Sequence, residues 1–279
     1  MNLSNSRTVS DLSIYPDNSW IVGDKVFSSR LMLGTGKYKS IEVACKSIQK
    51  SQASIVTVAM RRLQNANNLP QDNLLYSLPW DILWLLPNTA GCTTADEAVR
   101  VASFGREICK RLGQETNTFV KLEVIPDSRH LFPDPVGTLK AAEYLVSKGY
   151  VVLPYIFPDP MLAKQLEELG CATVMPLGSP IGSGQGIKNL ENIQAIIDRS
   201  AIPVVVDAGI GTASDAVKAM EIGSSAVLVN SAIAHANCPV SMANAMRLGV
   251  LSGRYASVAG RMKEYDRAIA SSPSTGILP

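Results

Sequence analysis

Histidine is nearly absent from this chain of 279 residues, which holds only His130 and His235. They lie far apart with no paired ligand spacing, which argues against a histidine-based zinc site. Cysteine is sparse too: Cys45, Cys92, Cys109, Cys171 and Cys238 are scattered, odd in number and never spaced as a metal clip. They read as small core residues in a reducing compartment, and no metal is expected. Charged residues make up only 18% of the chain and the formal net charge is +2, so no long-range field favours nucleic acid or anionic lipid. Apolar runs such as Ile202 to Val206 are too short to span a bilayer. The first residues, Met1 to Asn18, are polar and lack the apolar core of a signal peptide, so nothing marks the chain for export. These absences leave small-molecule chemistry as the expectation, with neither nucleic acid nor membrane as partner.

What the chain does have is apolar content, 46% of its residues, enough for a sizeable core. Short β-rich runs recur: Arg30 to Leu33, Ile55 to Ala59, Leu83 to Pro87, Phe119 to Ile125, Val151 to Tyr155, Ala172 to Met175, Pro203 to Asp207 and Ala226 to Asn230. Most are nearly continuous Val/Ile/Leu, as expected where helices cover both faces of a parallel sheet. Helix signals fall between them. Asp159 precedes Pro160, with Leu162, Leu166 and Leu169 on one face and Gly170 as the stop; Thr94 to Glu97 and Thr212 to Asp215 read as capping boxes. Alternating βα units in this number predict a (β/α)8 TIM barrel, α/β in class, rather than a doubly wound sheet. Leu33 to Tyr38 supplies only half of the glycine turn that an open dinucleotide-binding sheet favours. Trp20 to Phe27 reads as a short hairpin with a Gly23-Asp24 turn, a plug for the barrel floor. The expected organisation is a polar extension over 1–18, a single barrel over 19–270 and an irregular tail over 271–279.

One strand carries chemistry. Phe119-Val120-Lys121-Leu122-Glu123-Val124-Ile125 sets a lysine and a carboxylate two residues apart in an apolar run, and period-2 geometry puts both on one face. A partly dry amine can lose its proton near neutral pH and act as a nucleophile, although a buried ion pair or an edge lysine would read the same from this strand alone. Asp207 ends another apolar strand and would look into the same mouth, so two carboxylates could shuttle protons around the amine. Glycine is concentrated where barrels hold phosphate: Asp207-Ala208-Gly209-Ile210-Gly211 precedes the helix at Thr212, and Asn230-Ser231 follows the last strand. Gly178 to Gly186 adds four glycines and two serines without a charge. Turn geometry alone explains any single pair; three such loops at one mouth point to an anionic ligand. Carbonyl chemistry on a phosphorylated sugar fits these parts. Arg61 and Arg62 could support an anion or form a solvated charge pair, and Asn88 has a position but no assigned task.

These motifs resemble the bacterial-type thiazole synthase of thiamin biosynthesis, in a cyanobacterial or algal-plastid form, from about Trp20 onward. The resemblance rests on Leu33 to Tyr38, Leu86 to Gly91, Val120 to Val124, Pro133-Asp134-Pro135, Pro176 to Gly186 and Val206 to Gly211. It implies a barrel enzyme that needs no cofactor and condenses 1-deoxy-D-xylulose 5-phosphate, dehydroglycine (2-iminoacetate) and sulfur from a thiocarboxylated small carrier protein into a thiazole phosphate. Lys121 matches the lysine that forms the imine, Glu123 and Asp207 match proton-transferring carboxylates, and Gly182, Ala208, Gly209, Asn230 and Ser231 match positions holding the sugar phosphate. The resemblance further implies a homo-oligomer, dimer or tetramer, in the bacterial cytoplasm or, if plastid-encoded, the plastid stroma. Ser231 stands where threonine is commoner, and Ile156-Phe157-Pro158 is less polar than the family tends to be. Two other barrel chemistries use similar parts. A flavin mononucleotide oxidoreductase would use the glycine loops, and a class I aldolase would use a lysine with a phosphosugar.

Overall fold

In a computed structural model that describes residues 18–64 and 74–272, a closed parallel barrel accounts for most of the chain. The strands are β3 (Leu31–Gly34), β4 (Ile55–Ala59), β5 (Trp84–Asn88), β6 (Phe119–Leu122), β7 (Val151–Ile156), β8 (Met175–Pro176), β9 (Val205–Asp207) and β10 (Ala226–Val229). They run in the order β8-β7-β6-β5-β4-β3-β10-β9, and the bridges Val174 to Val204 and Leu177 to Asp207 close the ring. The helices between them are α1 (Ile41–Ser51), α2 (Met60–Gln64), α3 (Ala95–Arg111), α4 (Pro135–Ser147), α5 (Pro160–Glu168), α6 (Leu190–Arg199), α7 (Ala213–Glu221), α8 (Ser231–Ala234) and α9 (Pro239–Ala259). This is the expected (β/α)8 barrel. Residues 1–17 of the polar extension and 273–279 of the tail lie outside the described residues.

The helix starts follow the local chemistry. Asp159 Oδ1 accepts from Met161 N at 2.8 Å, satisfying an N–H that has no intrahelical partner, and Pro160 needs none. Thr94 Oγ1 accepts from Glu97 N at 3.3 Å, but Glu97 returns its bond to Thr93 N at 2.8 Å rather than to the cap itself.

Strand residues divide by parity. Val120, Leu122 and Val124 pack outward beneath α3 and α4, while Phe119 points inward with Met32, Ile55, Leu86, Leu153 and Val205. Below that layer the hairpin β1 (Trp20–Val22) and β2 (Lys25–Phe27) turns at Gly23, whose φ of 59° suits glycine. Trp20, Val22 and Phe27 fill the floor, and Phe27 meets Phe119 edge-on at 6.0 Å. Fully burying such side chains contributes about 1.5–3 kcal/mol each. Buried Arg30 ties the plug to the barrel by donating to Ser19 O at 2.6 Å and Ser225 O at 2.7 Å.

Two expectations need correction. The strand read as Phe119 to Ile125 ends at Leu122, because Glu123 leaves the ladder: its N–H donates to Thr89 Oγ1 and its carbonyl accepts from the same hydroxyl, both at 2.8 Å. The cysteines are not all core residues. Cys92, Cys109 and Cys171 are buried, but Cys45 is half-buried and Cys238 is exposed at the start of α9, where the chain turns away from the barrel.

Candidate active site

At the C-terminal mouth of the barrel is a cavity of about 380 Å³. All eight residues singled out by the sequence line it: Lys121, Glu123, Asp207, Gly182, Ala208, Gly209, Asn230 and Ser231. Lys121 comes from the end of β6 and Asp207 from the end of β9, so closure of the barrel, not local sequence, brings them together. Lys121 Nζ lies 2.8 Å from Glu123 Oε1 and 2.7 Å from Asp207 Oδ2. The three are 4%, 4% and 3% exposed, too dry for solvent to screen the contacts. Tyr155 lies below, its ring centroid 5.6 Å from Lys121 Nζ, and burial holds its phenol well above the usual value and neutral.

The resting charge of the lysine differs from the sequence expectation. Burial opposes the charge on Lys121, as expected, but the Asp207 and Glu123 carboxylates outweigh it and raise the amine above the ordinary lysine value. Burial likewise pushes the Asp207 carboxyl up; Lys121 pulls it back only in part, and Glu123 adds to the rise. The resting amine is therefore an ammonium, and a nucleophile forms only when its proton passes to a neighbouring carboxylate. That transfer crosses less than 3 Å and leaves the net charge of the cavity unchanged.

Asn88, left without a task by the sequence, belongs to this group. Its Nδ2 donates to Glu123 Oε1 at 2.9 Å while its Oδ1 accepts from Ala90 N at 2.8 Å. Oε1 of Glu123 thus takes both Lys121 and Asn88, and its main chain is held by Thr89. The local signal was the Asn-Thr pair at the end of β5; the register that sets Asn88 opposite Lys121 was not legible.

The anion loops also assemble. Ala208 and Gly209 adopt φ of 66° and 76°, turning the chain sharply after Asp207. The loop 178–186 closes over this turn, with Gly178 N donating to Asp207 O at 3.0 Å and Gly186 N to Gly209 O at 2.8 Å. A Cβ on Gly209 would lie 2.6 Å from Ser179 N, so only glycine fits. The expectation that the amides opening the helix at Thr212 face an anion needs revision. Asp215 Oδ2 already accepts from Gly211 N at 2.9 Å and Thr212 N at 3.1 Å. The capping box at Thr212 was the signal for this, since its acidic third residue takes the first free amides. Arg61 is also occupied: it donates to Gly91 O and lies 3.6 Å from Glu97 Oε1, bracing the loop after β5. The side chain of Arg62 lies outside the described residues.

Comparison with known proteins gives the family. The Thiazole synthase of Pyropia yezoensis is 63% identical over 256 residues, covering 92% of either chain. That of Prochlorococcus marinus (strain MIT 9515) is 59% identical over 261 residues, 94% of this chain and 98% of the relative. Among solved structures, the Amycolatopsis orientalis BexX/CysO complex superposes with a TM-score of 0.77 at 34% identity, over 88% of this chain and 98% of that one. A 3-hexulose-6-phosphate synthase from Salmonella typhimurium, at 16% identity and a TM-score of 0.53 over 80% of this chain and 99% of that one, shares the barrel alone. No helix among the described residues is long and apolar enough to cross a membrane. Residues 21–273 match the family described as Thiazole biosynthesis protein ThiG; the chain belongs to that family and is a thiazole synthase.

Proposed function

We propose that the enzyme builds a thiazole phosphate from 1-deoxy-D-xylulose 5-phosphate, dehydroglycine and a thiocarboxylated small carrier protein, with Lys121 as the imine-forming residue. The observation that carries this reading is a buried lysine held within 2.8 Å of two carboxylates on the wall of a cavity that also contains glycine-rich loops. Lys121 Nζ, its proton passed to Glu123 or Asp207, attacks the ketone carbon of the sugar phosphate. The carbinolamine then loses water, with a carboxyl returning the proton to the departing hydroxyl. The imine acidifies the adjacent C–H, and the same carboxylates move protons through the later steps. The sugar phosphate is held by the backbone of Gly182, Ala208, Gly209, Asn230 and Ser231, where the loop turns expose main chain to the cavity.

A carrier partner is supported by the relative crystallised as a two-protein complex. A homo-oligomer, dimer or tetramer, belongs to the same reading, as does a place in the bacterial cytoplasm or the plastid stroma, in keeping with cyanobacterial and red-algal relatives. No cofactor enters the scheme.

The test is borohydride reduction in the presence of the sugar phosphate, followed by peptide mass mapping. The adduct is expected on Lys121 and absent from Lys121→Arg, which keeps the charge but not an accessible neutral amine. Because the carboxylates hold the amine charged, the trapping rate should climb with pH from neutral into the alkaline range. An adduct on another lysine overturns the assignment.

A further inference from the structure

Two buried polar atoms on the cavity wall have no partner. Among the described residues, the cavity-lining side chains with such an atom are Thr57, Asn230 and Asp207, and the Asp207 oxygen is the one that faces Lys121. That leaves Thr57 Oγ1 and Asn230 Oδ1. An unpaired buried polar group costs about 1–3 kcal/mol, so two on one wall call for a ligand. Thr57 is 6% exposed, and its carbonyl is fixed by a bond from Thr35 Oγ1 at 2.9 Å.

Gly34 lies between the two atoms. It pairs with Thr57 across the β3–β4 ladder, so both present the same face to the interior. A Cβ built on Gly34 would lie 2.6 Å from Asn230 Cβ and 3.2 Å from Asn230 Oδ1. The carboxamide of Asn230 therefore occupies the space a Gly34 side chain would take, which sets its oxygen on the cavity wall across β3 from the Thr57 hydroxyl. Lys37, in left-handed backbone at φ 66°, also lines the cavity and supplies positive charge at its edge.

We infer that this stretch of cavity wall, from Thr57 to Asn230, is the subsite of the second small substrate, a planar imino acid; the assignment rests on the reading of Lys121 and the sugar phosphate given above. The chemistry matches on both flanks. The hydroxyl of Thr57 donates to the carboxylate, Asn230 Oδ1 accepts from the imine N–H, and the cavity beside them holds the flat two-carbon skeleton. Asp207 borders the same wall, since it pairs with Leu228 two residues before Asn230. A proton can therefore be delivered to or taken from the incoming nitrogen. The main chain of Asn230 remains available to the sugar phosphate while its side chain serves the other substrate.

The experiment uses Thr57→Val, which keeps shape and removes the hydroxyl, with glyoxylate and ammonium generating the imino acid in place. A hydrogen bond to a charged ligand group is worth about 1.5–3 kcal/mol, so KM for glyoxylate at fixed ammonium should rise about ten- to a hundredfold. The KM for the sugar phosphate and the yield of borohydride-trapped Lys121 should not change. The melting temperature should hold or rise, because the hydroxyl makes no bond in the protein. An unchanged glyoxylate KM in Thr57→Val overturns the subsite, as does a drop in melting temperature or a parallel rise in the sugar phosphate KM. Loss of the trapped adduct in the parent enzyme would instead overturn the lysine assignment.

Discussion

Replacing Lys121 by methionine tests the charge balance of the site without any substrate. Among the described residues, the change removes the only cation in contact with Glu123 and Asp207, whose carboxylates lie 2.8 and 2.7 Å from its nitrogen. At an effective dielectric of about 20, each such contact represents roughly 6 kcal/mol of attraction before the cost of drying the charges. Most of that is cancelled by desolvation, and removing one partner of a buried pair costs about 3–5 kcal/mol in net terms. For a chain of this size that corresponds to a melting-temperature loss of roughly 6–20 °C. The loss should depend on pH in a defined direction. Burial already raises the Asp207 carboxyl and the ammonium pulls it back in part; without that cation it rises further above the unfolded value near 4, so protonating it relieves the strain. Groups raised in this way favour the folded state at low pH and withdraw that support as pH climbs, by about 1.4 kcal/mol per pH unit for each proton retained. The deficit relative to the parent should therefore be small near pH 5 and widen toward pH 8. Thermal and urea unfolding at four pH values measure it. Adding Asp207→Asn to the variant should recover most of the deficit at pH 8. A deficit that is flat with pH, or below about 1 kcal/mol throughout, would refute the picture of an amine holding two ionised carboxylates in a dry site.

Two further outcomes follow from the geometry. Gly209→Val sets a branched residue at φ 76° with its Cβ 2.6 Å from Ser179 N, so the anion loop must shift. The KM for the sugar phosphate should rise at least about tenfold, and unchanged steady-state kinetics would remove that loop from the phosphate site. Asn88→Ala deletes the 2.9 Å bond to Glu123 Oε1 and frees the carboxylate to rotate. A lost charge-assisted bond predicts a kcat lower by about ten- to a hundredfold with the sugar phosphate KM little changed; a change confined to KM would show that Asn88 binds substrate instead.

How much was legible in the sequence depended on distance along the chain. Period-2 alternation in the Phe119 to Ile125 segment placed Lys121 and Glu123 on one face, and the structure brings them to 2.8 Å. Caps at Thr94, Asp159 and Thr212 marked three helix starts because their chemistry is complete within four residues. The protonation of Lys121 was not legible, since it depends on Asp207 arriving from β9 on barrel closure. Nor was the end of β6: it is set by the Thr89 hydroxyl, which competes for the Glu123 backbone from the neighbouring loop. Thr57 carried no local signal either. A threonine in an apolar strand looks like any β-branched filler until its unpaired hydroxyl is seen on the cavity wall.

The floor plug has a kinetic consequence. Trp20, Val22, Phe27 and Phe119 fill the lower end of the barrel, so the described residues leave the chamber open at its upper mouth and shut at its floor. In the proposed reaction, sugar, imino acid, the carrier's tail and the finished heterocycle would all pass that mouth in turn. A docked carrier would then act as a stopper, so the enzyme cannot unload its product until the spent carrier has departed, and turnover is tied to how long that protein stays.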